Sequence, residues 1–136
     1  MKLYHGTTEE YAERILESGF MVKTGRSWGM GSGVYLTPDL ECAKKYGETI
    51  LEVDIKEDVL EEILDLDNSE YTLDGIRQEA NHNEFSRQYK YEGDKIASYV
   101  LEELMYFGLK AQFYEGNHIC FFSLDELIEK ENIKIL

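Results

Sequence analysis

A single proline and only two cysteines stand in these 136 residues, and basic residues are half as common as acidic ones, fourteen against twenty-eight. Each scarcity excludes something. With one proline and 43% hydrophobic residues the chain is a folded globule, because disordered chains are poor in apolar residues. Cys42 and Cys120 are too few for a secreted disulfide framework and are expected as reduced thiols of a cytoplasmic protein. No apolar run is long enough to span a bilayer, and the opening MKLYHGTTEE has no signal-peptide core, so no membrane association is expected. The three histidines, His5, His82 and His118, lie at no metal-ligand spacing, and neither cysteine has a nearby partner, so no metal is expected.

The shortage of base gives a net charge of −14. Its densest stretch holds Glu57, Asp58, Glu61, Glu62, Asp65 and Asp67 with no basic residue between them. Such a surface repels phosphate backbones and argues against direct nucleic-acid binding. It is expected to be a solvated face or a dock for a basic protein surface. Lys23 and Arg26 stand out against this background as candidate partners for a pyrophosphate.

Length and continuity predict one domain over residues 1–136. Residues 2–6 read as a strand. Thr7 with Glu10 forms a capping box for a helix carrying Tyr11, Ala12, Ile15 and Leu16, which Gly19 stops. Gly25, Gly29, Gly31 and Gly33 break regular structure between residues 20 and 33. They neither follow a strand nor open a helix, so they are read as a flexible loop over a ligand mouth rather than a dinucleotide fingerprint. Residues 34–37 read as a strand, and Thr37-Pro38 starts a helix that runs to Gly47. A branched strand follows at 50–55. The stretch to Tyr91 is polar, helical or irregular, with Ile63, Leu64 and Ile76 as inward anchors. A helix carries Ile96, Val100, Leu101 and Leu104. Strands at 110–114 and 118–123, turned by Glu115, Gly116 and Asn117, precede a helix at 124–129 and a strand at 133–136.

The chemistry-bearing residues cluster in two short segments, LYHGT at 3–7 and GVYLT at 33–37, with Tyr46 eleven residues after Tyr35. A strand end exposes backbone polar groups, and Gly6 permits close approach of a ligand there. Two tyrosines suit a flat ring. Taken alone, His5 reads as a structural histidine, and Tyr35 and Tyr46 read equally well as core packing. Cys42 has no activating histidine adjacent in sequence and is not expected to be a nucleophile.

In order and spacing, LYHGT, the helix ending ILESGF, the segment GMGSGVYLT and the helix ending in Tyr46 resemble the core of the ADP-ribosyltransferases related to diphtheria toxin and the poly(ADP-ribose) polymerases. The resemblance covers residues 2–55 and 108–136. It implies an α+β fold, with a split β-sheet core of two small, mostly antiparallel sheets and surrounding helices. It also implies NAD as co-substrate and mono-ADP-ribosyl transfer to a macromolecular, protein acceptor. Position by position, His5 would contact an NAD ribose, the Gly6 backbone would hold the nicotinamide amide with Thr7 beside it, and Tyr35 and Tyr46 would sandwich the ring. Ala43 stands where the polymerase branch has a serine. On the late strand NHICFFS, His118 falls at the position of the family's catalytic glutamate, with Glu115 three residues earlier. Either residue is thus a candidate to stabilise the oxocarbenium ion, or the site is weak.

Two other functions compete. The RNA 2′-phosphotransferase branch of the same fold needs several cations around two phosphates, which the charge disfavours. The other is a non-catalytic acidic binder or inhibitor on a degenerate NAD-binding fold, since small, acidic chains with a bare core resemble phage-encoded anti-defence proteins, anti-CRISPR ones among them.

Overall fold

The computed structural model describes residues 1–21, 29–113, 116–123 and 128–136. Their order is β1 (Lys2–Thr7), α1 (Glu9–Ser18), β2 (Val34–Leu36), α2 (Leu40–Ala43), β3 (Thr49–Asp54), α3 (Glu57–Leu60), β4 (Ile63–Asp65), α4 (Leu73–His82), α5 (Glu92–Tyr99), β5 (Gly108–Phe113), β6 (Gly116–Phe121) and β7 (Ile133–Ile135). The architecture is α+β with two sheets, one in the order β1-β3-β7 and the other β2-β6-β5-β4. Every pairing is antiparallel except β4 with β5.

Strand alternation creates two cores. In the first sheet Leu3, Leu51, Val53 and Ile133 point inward, because Leu3 faces Val53 and Val53 faces Ile133 across the ladders. They meet Val34, Leu36, Ile119 and Phe121 from one face of the second sheet, with Ala12 of α1. The other face of the second sheet, Leu64, Leu109, Ala111 and Cys120, packs with Ile76 and Ala80 of α4 and Ile96 of α5. The second sheet is therefore covered on both sides. The two sheets join at one isolated bridge, where Tyr4 N–H donates to Thr37 O at 2.7 Å and Thr37 N–H to Tyr4 O at 2.9 Å.

Local chemistry moves several expected boundaries. Thr8, not Thr7, caps α1, accepting from Tyr11 N–H at 3.3 Å, because Thr7 is held in β1 opposite Thr49. Gly19 ends the helix at a φ of +81°. The helix placed after Pro38 is a single turn capped by Asp39, which accepts from Glu41 N–H at 3.0 Å. Three-residue β4 escapes periodicity, since its partner is parallel β5, reached only after α4 and α5. The helix expected around Ile96 runs from Glu92 and turns π-helical over Val100–Leu104 before Met105 closes it at a φ of +63°.

Gly116 and Asn117, expected in a turn, belong to β6 and pair with Phe113 and Gln112. A side chain at Gly116 is barred because a Cβ would stand 2.5 Å from Cys42 Sγ. Most of the helix expected at 124–129 lies outside the described residues.

Residues 22–28 of the segment expected as a loop over a ligand mouth lie outside the described residues. Its described part, residues 29–33, is anchored: Met30 is fully buried, Ser32 N–H donates to Gly93 O at 3.1 Å, and Arg77 Nη2 donates to Gly29 O at 3.2 Å. Gly29 and Gly31 serve as turn residues there, with φ of +53° and +122°.

Candidate functional site

The bridge between Tyr4 and Thr37 stitches β1 to the end of β2, and a cavity of about 270 Å³ opens beside it. It is lined by Tyr4, His5, Gly6, Tyr35, Leu36, Thr37, Ala43, Tyr46 and His118. Four residues singled out in the N-terminal segments, His5, Gly6, Tyr35 and Tyr46, thus share one cavity with His118 from the late strand. A second cavity of about 590 Å³ shares His5 and Tyr35 with the first and continues along α1 past Thr7, Arg14, Ile15 and Phe20. Thr7 lines this second cavity. Arg26, Lys23 and Glu115 lie outside the described residues.

His5 is held at the seam. Its Nδ1 is 2.8 Å from Tyr35 O, and a carbonyl only accepts, so Nδ1 carries the proton and donates. The ring also meets Phe20 edge to face at 5.2 Å. One imidazole therefore ties the first sheet to the second at the point where both cavities meet.

Tyr35 works on two sides. Its carbonyl takes the His5 proton, while its phenol donates to Gly31 O at 2.5 Å and its ring packs against the second core. Burial first, then the neighbouring Cys120, holds the phenol well above its ordinary ionisation range. Burial likewise pushes the Cys120 thiol up. Its ring thus packs in the core and also lines the cavity. Tyr46, by contrast, is 44% exposed at the rim, so its ring covers the cavity while adding little to the core.

The glycine at position 6 has a different local cause from the one its sequence context suggests. A Cβ there would stand 1.9 Å from Ala43 O and 3.2 Å from Gly47 N. Gly47 answers it, since its own Cβ would stand 2.3 Å from Thr7 O. Backbone-to-backbone packing of the α2 region on β1 requires both glycines, and this packing brings Ala43 and Tyr46 into the cavity wall. Ala43 supplies no hydroxyl to the wall.

His118 is buried, 5% exposed, with its Nε2 3.5 Å from Cys42 Sγ and its ring edge-on to Tyr46 at 5.7 Å. Cys42 thus has a histidine neighbour after all, one that lies 76 residues away and that no local signal could disclose. Among the described residues, neither cavity is lined by a carboxylate, and Arg14 is the only lysine or arginine in their walls. Arg14 is itself paired with Glu10 at 2.7 Å. The described residues contain no group of three or more metal-ligating side chains, and none of their helices is long and apolar enough to cross a membrane.

No family model and no curated protein matches the chain. Among solved structures, one described as the crystal structure of an anti-CRISPR protein is similar over 100% of this chain and 95% of its own, at 13% identity and a TM-score of 0.47. A likeness of that size carries no argument about activity.

Proposed function

We propose that the chain binds NAD at the seam of its two sheets and transfers single ADP-ribose units to a protein acceptor. The observation that carries this reading is the convergence of the Gly6 backbone, His5, Tyr35 and Tyr46 on one cavity. A strand-end backbone can pair with a carboxamide, and the exposed Tyr46 ring can cover a flat cationic ring, which gains a cation–π term. At about 270 Å³ the first cavity suits a single ring and its substituents, and the second, about 590 Å³, has room for the remainder of a dinucleotide. His5 lines both, in place to touch the part between. The two-sheet α+β architecture is compatible with a split ADP-ribosyltransferase core.

In this reading the protein's own groups bind and orient. The Gly6 backbone and the Tyr46 ring hold the nicotinamide, and His5 orients a ribose. As nicotinamide leaves, positive charge builds on the ribose, and a carboxylate or dipole placed there speeds the step. Glu115 is the candidate for that role, and the absence of a glutamate at position 118 favours single transfer over chain elongation. The acceptor's nucleophilic atom bonds to the anomeric carbon, and the proton it loses passes to solvent or a nearby base. Location in the cytoplasm, where NAD is plentiful, belongs to the same proposal.

The second reading is a non-catalytic acidic binder acting in phage anti-defence. The absence of a carboxylate among the described lining residues favours it, as does the charge of −14, which suits a basic partner. The RNA 2′-phosphotransferase reading has less support, because the described walls offer phosphate only Arg14. Incubating the protein with labelled NAD and a cell lysate separates the readings. A labelled protein band supports the transferase. No label, with NAD-independent capture of a basic protein, supports the binder.

A further inference from the structure

Cys42 on α2 and His118 on β6 make a buried pair whose chemistry the cavity has not yet used. The thiol is 2% exposed and lies 3.5 Å from Nε2 of the imidazole. Gly116 brings β6 close enough for this contact, since any side chain there would collide with the sulfur. The Tyr46 ring meets the same imidazole edge-on. An imidazole nitrogen is a far better acceptor than a thiol sulfur, so the shared proton belongs on sulfur, with S–H donating to Nε2.

We propose that Cys42 is a positioning residue that locks His118 in the tautomer protonated at Nδ1, edge-on to Tyr46. This rests on the reading of the cavity as a nicotinamide site, and it sharpens that reading. With Nε2 accepting from the thiol and Nδ1 carrying a proton, neither ring nitrogen is left to accept a hydrogen bond from a ribose hydroxyl. His118 therefore cannot stand in for the glutamate whose position it occupies. Its part is to hold Tyr46, and through Tyr46 the stacked ring, while the carboxylate role falls to another group.

The test pairs nitrogen-15 spectra of the His118 ring with calorimetric titration of NAD, in wild type, Cys42→Ser and Cys42→Ala. Wild type should show the Nδ1-protonated pattern without any ligand. Cys42→Ser keeps a donor and should retain both the pattern and NAD affinity within about twofold, whereas Cys42→Ala should mix the tautomers and weaken NAD roughly fivefold, the scale of one ordinary hydrogen bond. An Nε2-protonated ring in wild type, an unchanged spectrum in Cys42→Ala, a serine variant that behaves like alanine, or a changed tautomer with unchanged affinity would each overturn the proposal. Wild-type protein with the expected tautomer but no NAD binding would refute the nicotinamide reading alone, since the spectrum needs no ligand.

Discussion

Replacing Gly6 by alanine tests whether the packing of α2 on β1 builds the cavity wall. The new Cβ would start 1.9 Å from Ala43 O, where ordinary contact begins at 3.4 Å, so backbone must move by about 1.5 Å. Neither neighbour yields easily. Gly6 is fixed in the β1–β3 ladder opposite Ile50, and Ala43 O accepts from Tyr46 N–H at 3.0 Å, the bond that turns the chain toward the rim. Overpacking of this kind costs about 1–3 kcal/mol, and stretching the Tyr46 bond adds about 1 kcal/mol. For a chain of 136 residues, 1 kcal/mol moves the melting temperature by roughly 3–4 °C, so a fall of about 6–16 °C is expected. Calorimetric melting of Gly6→Ala beside wild type measures it, and Gly47→Ala, whose Cβ would stand 2.3 Å from Thr7 O, should fall similarly. A melting temperature within about one degree of wild type in Gly6→Ala would show that the contact relaxes freely and that α2 is not pinned as described.

His5→Ala removes the 2.8 Å bond across the seam and the Phe20 contact, so it should cost about 1–2 kcal/mol of stability and abolish the thermal shift produced by NAD. An undiminished shift would place the ligand elsewhere. Tyr46→Ala should leave stability nearly unchanged, because the ring is half exposed, yet weaken NAD binding about five- to tenfold in titration. Tyr35 and Cys120 are both held protonated by burial, with folded-state values above their ordinary 10.0 and 9.0. Their contribution to stability is therefore complete below those ordinary values and is lost as pH rises past them. Denaturant melts between pH 8 and about 11 should show stability falling with pH, and Tyr35→Phe should flatten the fall; an equal slope in that variant would deny the phenol its part. Glu115→Gln should lower transferase turnover by roughly a hundredfold with little change in NAD affinity, and full activity in that variant would remove Glu115 from the role.

How much of this protein could be read from its residues depended on how local the cause was. Strand β1, helix α1 with its glycine stop, β3 and the antiparallel pair β5–β6 follow from alternation and capping chemistry, all expressed within a few residues. The grouping of His5, Gly6, Tyr35 and Tyr46 was also legible, because their segments lie within the first 46 residues and their spacing is distinctive. The capping residue of α1 was missed by one position, since β-ladder pairing of Thr7 outweighs a cap that Thr8 supplies equally well. Strand β4 was invisible because its three residues owe their conformation to a distant parallel partner. The need for glycine at position 6 was legible, but its reason was not: the space it leaves is filled by the backbone of Ala43. The Tyr35 phenol on Gly31, the anchoring of residues 29–33 on α4 and α5, and the Cys42–His118 pair are contacts between chain segments that only close packing brings together. Residue type and spacing determined which groups could serve a flat, hydrogen-bonding ligand. Tertiary packing decided which atoms of those groups are already taken, because a hydrogen-bond donor or acceptor satisfied within the fold is no longer available to a ligand.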